Sequence, residues 1–220
     1  MSGTKEQTER CMRAAKEGDP KAQLMLGVLY DAGDGVPQNK AEAVRWYAKA
    51  AAAGNAKAQH NLAIMYHTGQ GVKQNYQHAA RWYKLAAARG VAQAQFNLGL
   101  LHLKGHGVDR DRAAALKWFL IACANPDAGV KLEKYAAARD EAMRGLSGEE
   151  TERARAEAAA FAPPEEARPE SFEKTADGAQ AEKPAASTET ADGQAAPNGE
   201  SATANPEPEN SADATEQPPH

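Results

Sequence analysis

Cysteine, aromatic residues and long apolar runs are scarce in this sequence of 220 residues. Its two cysteines, Cys11 and Cys123, are too few and too far apart for a disulfide framework or a zinc site, so we expect two small, buried or half-buried residues. No run of about 18 apolar residues occurs, which argues against a transmembrane helix. The first residues, MSGTKEQTER, lack the apolar core of a signal peptide. We therefore expect a cytoplasmic protein without membrane insertion.

Charge is unevenly distributed along the chain. Residues 1–162 hold 23 basic and 17 acidic side chains, a net charge of +6, whereas residues 163–220 hold 3 basic and 13 acidic ones, a net charge of −10. A charge of +6 over 162 residues, with no basic stripe between aromatics, does not favour nucleic-acid binding.

The acidic tail, residues 163–220, holds 9 prolines and, besides alanine, one sizeable apolar residue, Phe172. Such a segment cannot bury enough surface to offset its ordering entropy, so we predict that it is disordered. Its simplest role is that of a solubilising linker. The alternative is that it folds back on the basic body and competes for a binding groove.

Equivalent residues recur every 36 positions in three copies, which is typical of a helical repeat array. A register this strict predicts one supersecondary unit, repeated and stacked. The recurring residues are Gly18, Gly54 and Gly90; Leu26, Leu62 and Leu98; Gly33, Gly69 and Gly105; Gly35, Gly71 and Gly107; Val36, Val72 and Val108; Trp46, Trp82 and Trp118; and Ala50, Ala86 and Ala122.

Each unit is predicted to contain two helices. In unit one, Asp19 is placed to cap the first helix and Pro20 suits its first turn. That helix ends at GDGV, where glycine tolerates a left-handed backbone. Asn39 then caps the second helix, with Glu42 at capping-box spacing, and Asn75 and Asp111 are the equivalent caps.

Helix packing in each unit is predicted to depend on small and aromatic residues. Small residues at Ala22, Gly27, Ala43 and Ala50 let the two helices approach closely. We expect the Trp and Tyr of the second helix to fill the space between neighbouring units.

The segments AQLMLGVLYDAGDGVPQNKAEAVRWYAKAAAAG and AQHNLAIMYHTGQGVKQNYQHAARWYKLAAARG resemble Sel-one-like repeats (SLR), relatives of the tetratricopeptide repeat. The resemblance covers about residues 12–124. The chain departs from the family pattern at Ala63, where the family prefers Gly, at His102 in place of Tyr, and at Phe119 in place of Tyr. The resemblance implies a bacterial adaptor in a signalling, envelope or assembly pathway, and relatives of this kind are often exported.

The predicted fold is all-α: a short right-handed α-solenoid of three helix-turn-helix repeats with flanking capping helices and a disordered C-terminal tail. After unit three we expect one helix over about 127–144 and another, opened by a capping box at SGEE, that runs to Phe161. The predicted boundaries are an N-terminal capping helix over 1–18, repeats over 19–54, 55–90 and 91–126, C-terminal capping helices over 127–162, and the tail over 163–220.

The segment HLKGHGVDRD places His102 and His106 between glycines and ahead of two aspartates. Its counterparts in the other units are inter-helix turns, so we expect a turn here as well. A metal site would need a third ligand, such as Asp109 or Asp111, with supporting partners. A phosphate loop would need Lys-Ser/Thr and a preceding strand. We predict neither, and the two histidines remain candidates for a pH-sensitive or partner-facing position.

No nucleophile, base and orienting group are visible together, so we predict a protein that is not an enzyme and uses no cofactor or metal. The predicted function is that of an adaptor that binds a protein or peptide on the concave face of the array. The alternative is a regulatory subunit or a hydrolase-like enzyme, for which His60, His67 and His102 are the only candidate groups. Self-association through the groove or the array ends is a further possibility.

The predicted partner-binding row lies on the outward side of the first helices, where residues vary between units. Its apolar members either meet a partner peptide or pack against residues 127–161 or a second copy. If they meet a partner, changing Phe96 and Leu100 to Ser should abolish capture and leave stability nearly unchanged. The predicted row is Lys21, Leu24, Val28, Asp31, Lys57, His60, Ile64, His67, Gln93, Phe96, Leu100 and Leu103.

Overall fold

The protein is described by a computed structural model over residues 2–162, with side chains from residue 6 onward. The predicted disorder of residues 163–220 lies outside this range. Within it the chain forms helices joined by short turns: α1 Ser2–Lys16, α2 Pro20–Ala32, α3 Lys40–Ala52, α4 Ala56–Thr68, α5 Tyr76–Ala88, α6 Ala92–Lys104, α7 Arg112–Ala124, a 3₁₀ helix Pro126–Lys131, α8 Leu132–Met143 and α9 Gly148–Ala159.

The helices stack in chain order as a repeat array. Helices α2 and α3, α4 and α5, and α6 and α7 form the three pairs, and each second helix also packs on the first helix of the next pair. Helix α1 covers α2 at one end. The predicted all-α array of three helix pairs is confirmed.

The helix ends follow the local signals in the sequence. The side chains of Asn39, Asn75 and Asp111 each accept a hydrogen bond from a backbone N–H in the first turn of α3, α5 and α7. Glu42 does not complete a capping box as its spacing suggested, because its carboxylate pairs with Arg45 at 2.5 Å instead. The predicted box at Ser147 and Glu150 is present in full.

Within a unit, the two helices approach through a glycine that lies under an aromatic ring. A Cβ on Gly27 would stand 2.6 Å from the ring of Tyr47, and one on Gly99 would stand 2.6 Å from the ring of Phe119. In unit two the small residue is Ala63, which is fully buried. The rings of Tyr47 and Phe119 therefore pack inside their own units as well as closing the gap between units.

The tryptophans do not all fill the inter-unit space as expected. Only Trp82 is buried. Trp46 is half-buried, with the ammonium of Lys49 4.2 Å from its ring centroid. Trp118 is also half-buried and meets the ring of Phe161 at 5.7 Å. The tryptophan precedes the buried tyrosine or phenylalanine in each second helix and lies at the border of the core. The burial of each tryptophan therefore depends on which helices pack next to its unit.

Between units, the second glycine of each turn permits contact between backbones. Gly71 has φ of +69°, and a Cβ there would overlap the carbonyl oxygen of Lys40 at the start of α3. Gly107 makes the same approach to the backbone of Tyr76 at the start of α5. In unit one there is no earlier pair, and Gly35 lies against the side chain of Thr8 in α1. Each turn therefore packs directly against the helix that precedes its own pair, α1 for unit one and the second helix of the earlier pair for units two and three.

A buried glutamine in each first helix links it to the helix before it. The Nε2 atom of Gln59 donates to the carbonyl oxygen of Ala51 at 3.2 Å, and Gln95 donates to that of Ala87 at 3.1 Å. Gln23 makes the same contact with Ala15 at 3.2 Å. The accepting carbonyls lie in the last turns of helices, where backbone acceptors lack a partner within the helix. The interaction therefore repeats with the 36-residue register.

The C-terminal end departs from the repeat. A continuous helix from about residue 127 was the wrong prediction, because Gly129, with φ of +49° and ψ of −133°, separates the 3₁₀ helix from α8. Helix α8 packs on α7 where the next first helix would lie. Helix α9 also packs on α7, whereas a regular second helix would pair with α8.

We predict that Gly71→Ala destabilises the array more than Gly90→Ala. Both glycines have positive φ, and no atom lies within 4 Å of a Cβ built on Gly90. The backbone conformation alone should make Gly90→Ala cost about 1–2 kcal/mol. The overlap with α3 should add about 1–3 kcal/mol at Gly71. Urea unfolding of the two variants measures the difference, and equal losses would contradict a tight contact between the units.

Candidate protein-binding face

The side of the first helices that points away from the core forms a continuous surface across the array. Its members follow Lys21, Lys57 and Gln93 at spacings of three or four residues, which keeps them on one side of each helix. Every side chain on this surface is exposed or half-buried. This surface, called the outer row below, consists of Lys21, Met25, Val28 and Ala32 in α2; Lys57, Asn61, Ile64 and Thr68 in α4; and Gln93, Asn97, Leu100 and Lys104 in α6.

Half of the predicted partner-binding row belongs to this outer row. Those members are Lys21, Val28, Lys57, Ile64, Gln93 and Leu100. The other half lies on the flank of each first helix that turns toward its own second helix and the next unit. This flank consists of Leu24, Asp31, His60, His67, Phe96 and Leu103, all buried or half-buried.

The flank residues of unit three are buried, which corrects their assignment as partner-facing. Phe96 is 5% exposed, and its ring stacks on that of Tyr135 in α8 with centroids 4.5 Å apart. Leu103 is 7% exposed and belongs to the same hydrophobic cluster. Helix α8 thus covers the side of α6 that would otherwise face a fourth unit, and the alternative of packing against residues 127–161 holds for Phe96.

In unit two the flank carries histidines that contact aromatic rings. His60 is 7% exposed, lies 5.9 Å from the ring of Tyr83, and has its Nε2 atom 3.5 Å from the side-chain nitrogen of Asn97. Burial lowers the pKa of His60, and the nearby charge of Lys131 lowers it further. A partner would therefore not reach this imidazole without displacing its neighbours.

His106 contacts unit two across the turn. Its ring packs on that of Tyr76 at a tilt of 32° with centroids 4.7 Å apart, and His67 meets the same tyrosine edge-on at 5.3 Å. Burial lowers the pKa of His67, and the charges of His106 and Lys104 add to this. The two histidines that flank Tyr76 thus belong to the junction between units two and three.

In unit one the flank carries an ion pair in place of a histidine. Asp31 pairs with Lys40 at 2.5 Å and accepts a long hydrogen bond, 3.4 Å, from the Oη atom of Tyr47. Burial raises the pKa of Tyr47, and the charge of Asp31 raises it further. Asp31 therefore helps to join α2 to α3 and is not a free recognition group.

Met25, Asn61 and Asn97 are outer-row residues that the sequence reasoning missed. A usable signal was present, because Gln23, Gln59 and Gln95 recur in the 36-residue register like the apolar core positions. If these glutamines are counted as core residues, the predicted core-facing side of each first helix rotates about the helix axis by a fraction of a turn. The opposite side then centres on Lys21, Met25 and Val28. Burial of these glutamines is unexpected from the sequence, because polar residues are usually exposed.

A shallow cleft of about 470 Å³ lies at the N-terminal end of the outer row. Lys57, Gln93 and Lys131 line it together with Val130, which is 99% exposed. The 3₁₀ helix before α8 therefore extends the candidate face beyond the three repeats.

The described residues show neither a cluster of metal-binding side chains nor a cysteine whose pKa is lowered. Residues 2–162 contain no group of three His, Cys, Asp or Glu side chains placed to hold a metal ion. Cys11 and Cys123 are unpaired and half-buried, and burial raises the pKa of both thiols. Among the same residues no helix has the length and apolar content needed to span a membrane.

The stacked helix pairs, the small-residue contacts between them and an open row along the first helices place this chain in the class of helical-repeat proteins that present extended binding surfaces. A profile of the Sel1 repeat matches residues 20–55, 56–91 and 92–127. The chain belongs to the Sel1 repeat family. Repeats of this family generally mediate interactions between proteins and are typically non-catalytic scaffolds.

Two solved structures illustrate the likeness. The Sel1 repeat protein from Oxalobacter formigenes is 38% identical, with a TM-score of 0.51 over 57% of this chain and 96% of that one. A protective antigen with an SLR fold from uropathogenic Escherichia coli is 27% identical, with a TM-score of 0.52 over 70% of this chain and 40% of that one. A comparison with curated proteins finds no match.

The burial of Phe96 predicts a loss of stability on truncation, as expected for the alternative in which the row packs against residues 127–161. Phe96→Ala should cost about 3–5 kcal/mol, because it leaves a cavity beside Tyr135. The exposed Leu132, changed to Ala, is the matched control and should cost less than about 0.5 kcal/mol. A double-mutant cycle with Tyr135→Ala should return a coupling of about 0.5–1.5 kcal/mol in denaturant unfolding. A coupling of zero would mean that the two rings do not stabilise each other.

The buried and half-buried histidines predict that stability falls in mild acid. Burial lowers the folded-state pKa of His60, His67, His78 and His102 below the ordinary value of 6.5. The unfolded chain then binds more protons as pH falls through about 6.5, so stability is full above that pH and is lost below it. Each pKa unit of difference corresponds to about 1.4 kcal/mol.

Thermal unfolding between pH 7.5 and 5.5 measures this effect, and His60→Gln should flatten the decline. The window stays above the range where most carboxylates titrate. An unchanged slope in His60→Gln would show that His60 does not contribute.

Proposed function

We propose that this protein is a non-enzymatic adaptor that binds a protein or peptide along the outer row of its first helices. The observation that carries the proposal is the exposure of large apolar side chains at the unit-one end of that row. Met25 is 53% exposed and Val28 is 40% exposed, whereas other large apolar residues of the repeats are buried or half-buried.

The row continues as an apolar strip with polar groups along it. Ile64 and Leu100 follow Val28 in the next two units and are half-buried. Asn61 and Asn97 alternate with them, and a side-chain amide both donates and accepts hydrogen bonds, as does a peptide backbone. This pattern suits an extended segment or a helix with a few apolar anchors.

One end of the outer row carries positive charge that would attract an acidic partner. Lys21 and Lys57 stand at its N-terminal end, where Lys131 adds a third cation beside the shallow cleft. A partner with apolar anchors and acidic groups on one side of them fits this distribution. Because Phe96 and Leu103 are buried, Leu100 is the large apolar side chain that unit three contributes to the outer row.

The proposal predicts that Met25→Glu with Val28→Glu removes partner binding and preserves the fold. Both side chains are exposed, so the melting temperature should stay within about 2 °C of the unchanged chain. Ala156→Glu with Ala159→Glu on the exposed side of α9 is the matched control, because it adds the same two negative charges away from the row. Affinity capture from cells of the native host, followed by titration of the captured partner, measures the effect.

Binding should weaken at least tenfold in the α2 double variant and remain in the control, Ala156→Glu with Ala159→Glu. A partner that binds both variants equally well uses another surface. Loss of binding in both would show an effect of net charge alone.

A further inference from the structure

A second recess lies on the opposite side of α6 from the outer row. It is a cleft of about 560 Å³ between the second helices α5 and α7, and the core-facing side of α6 forms its floor. The side chains of Arg81, Lys84, Lys117 and Trp118 line its walls, and His102 lies at its floor.

The residue at the floor is particular to unit three. His102 is in register with Tyr30 and Tyr66 of the other units, and a histidine is shorter than a tyrosine. In unit two the ring of Tyr66 reaches His78 in α5 at 5.1 Å. The replacement by His102 therefore leaves more room above the floor in unit three.

The walls of the cleft are cationic. Arg81 and Lys84 are exposed, and none of the residues that line the cleft is acidic. Two carboxylates lie near the imidazole of His102, and one of them, Asp111, is held as the N-cap of α7. Arg81 and Lys84 form no ion pair with any carboxylate of the described residues, which leaves their charge available to an anionic group.

The chain itself approaches this cleft along α9. Glu157 pairs with Lys117 at 3.0 Å, and one helical turn later the ring of Phe161 packs on Trp118 at 5.7 Å. Both contacts are with residues that line the cleft. The residues that the structure describes end at Ala162, and the sequence continues with PPEE at positions 163–166.

We propose that the first acidic residues of the tail, Glu165 and Glu166, occupy this cleft in the same molecule and pair with Arg81 and Lys84. A chain spans at most about 3.3–3.6 Å per residue, so the backbone from Ala162 can reach at most about 10–14 Å before these two residues. The docking continues an existing series of contacts, from Glu157 to Phe161 to Glu165. This docking would also bring the acidic tail, residues 163–220, into contact with the basic part of the chain, residues 1–162.

This inference does not depend on the proposed function, since the cleft and the outer row lie on opposite sides of α6.

Carbodiimide cross-linking of the full chain, read by mass spectrometry, tests the proposal. The reagent joins a carboxylate to a nearby lysine amine. The link from Glu157 to Lys117 is the internal reference, because that ion pair joins two helices. The measured quantity is the yield of links from Glu165 or Glu166 to Lys117, divided by the reference yield.

Arg81→Glu with Lys84→Glu should lower this ratio at least about fivefold. Arg45→Glu with Lys49→Glu is the matched control, with the same change of charge on exposed positions of α3, and should leave the ratio unchanged. A ratio unaffected by the first variant would show that mere proximity to Lys117 produces the link, and the proposal would be wrong. Equal falls in both variants would also overturn it, because net charge alone would explain them.

Equal amounts of unlabelled and ¹⁵N-labelled chain separate binding within one molecule from binding between copies. Links should join carboxylate and lysine of the same isotope. Links of mixed isotope as frequent as uniform ones would contradict docking within one chain.

Discussion

Contact between backbones at the second turn glycine holds the units together. At Gly71 and Gly107 the turn of one pair lies directly against the first residues of the preceding second helix. No side chain separates the two, so the distance between units is fixed by main-chain atoms. The glutamine hydrogen bonds, from Gln59 to Ala51 and its equivalents, require this spacing, as does the ring contact between His106 and Tyr76.

The same stacking decides which side chains remain for recognition. Each first helix uses its core side for its own unit and one flank for the next unit. Phe96 illustrates the consequence, because α8 occupies the place of a next unit and covers its ring. What remains is a narrow outer row, apolar at Met25 and Val28 and more polar at Asn61 and Asn97.

The two surfaces of the array differ in chemistry because they arise from different helices. The outer row belongs to the first helices alone and offers apolar anchors between amides. The cleft above His102 lies between second helices, whose long basic side chains reach over a floor that a tyrosine would fill. An apolar segment therefore suits the first surface, and a carboxylate-bearing segment suits the second.

The sequence by itself determined the helix pairs, their caps at Asn39, Asn75 and Asp111, and the turns, because these depend on residues close together in the chain and repeat three times. It also placed Lys21, Val28 and Ile64 on the outward side. Only the tertiary structure decided that Phe96 packs on Tyr135 and His60 on Tyr83, that Gln59 is core, and that α9 packs on α7. Those outcomes depend on how whole helices lie against one another, and no local spacing contains that information.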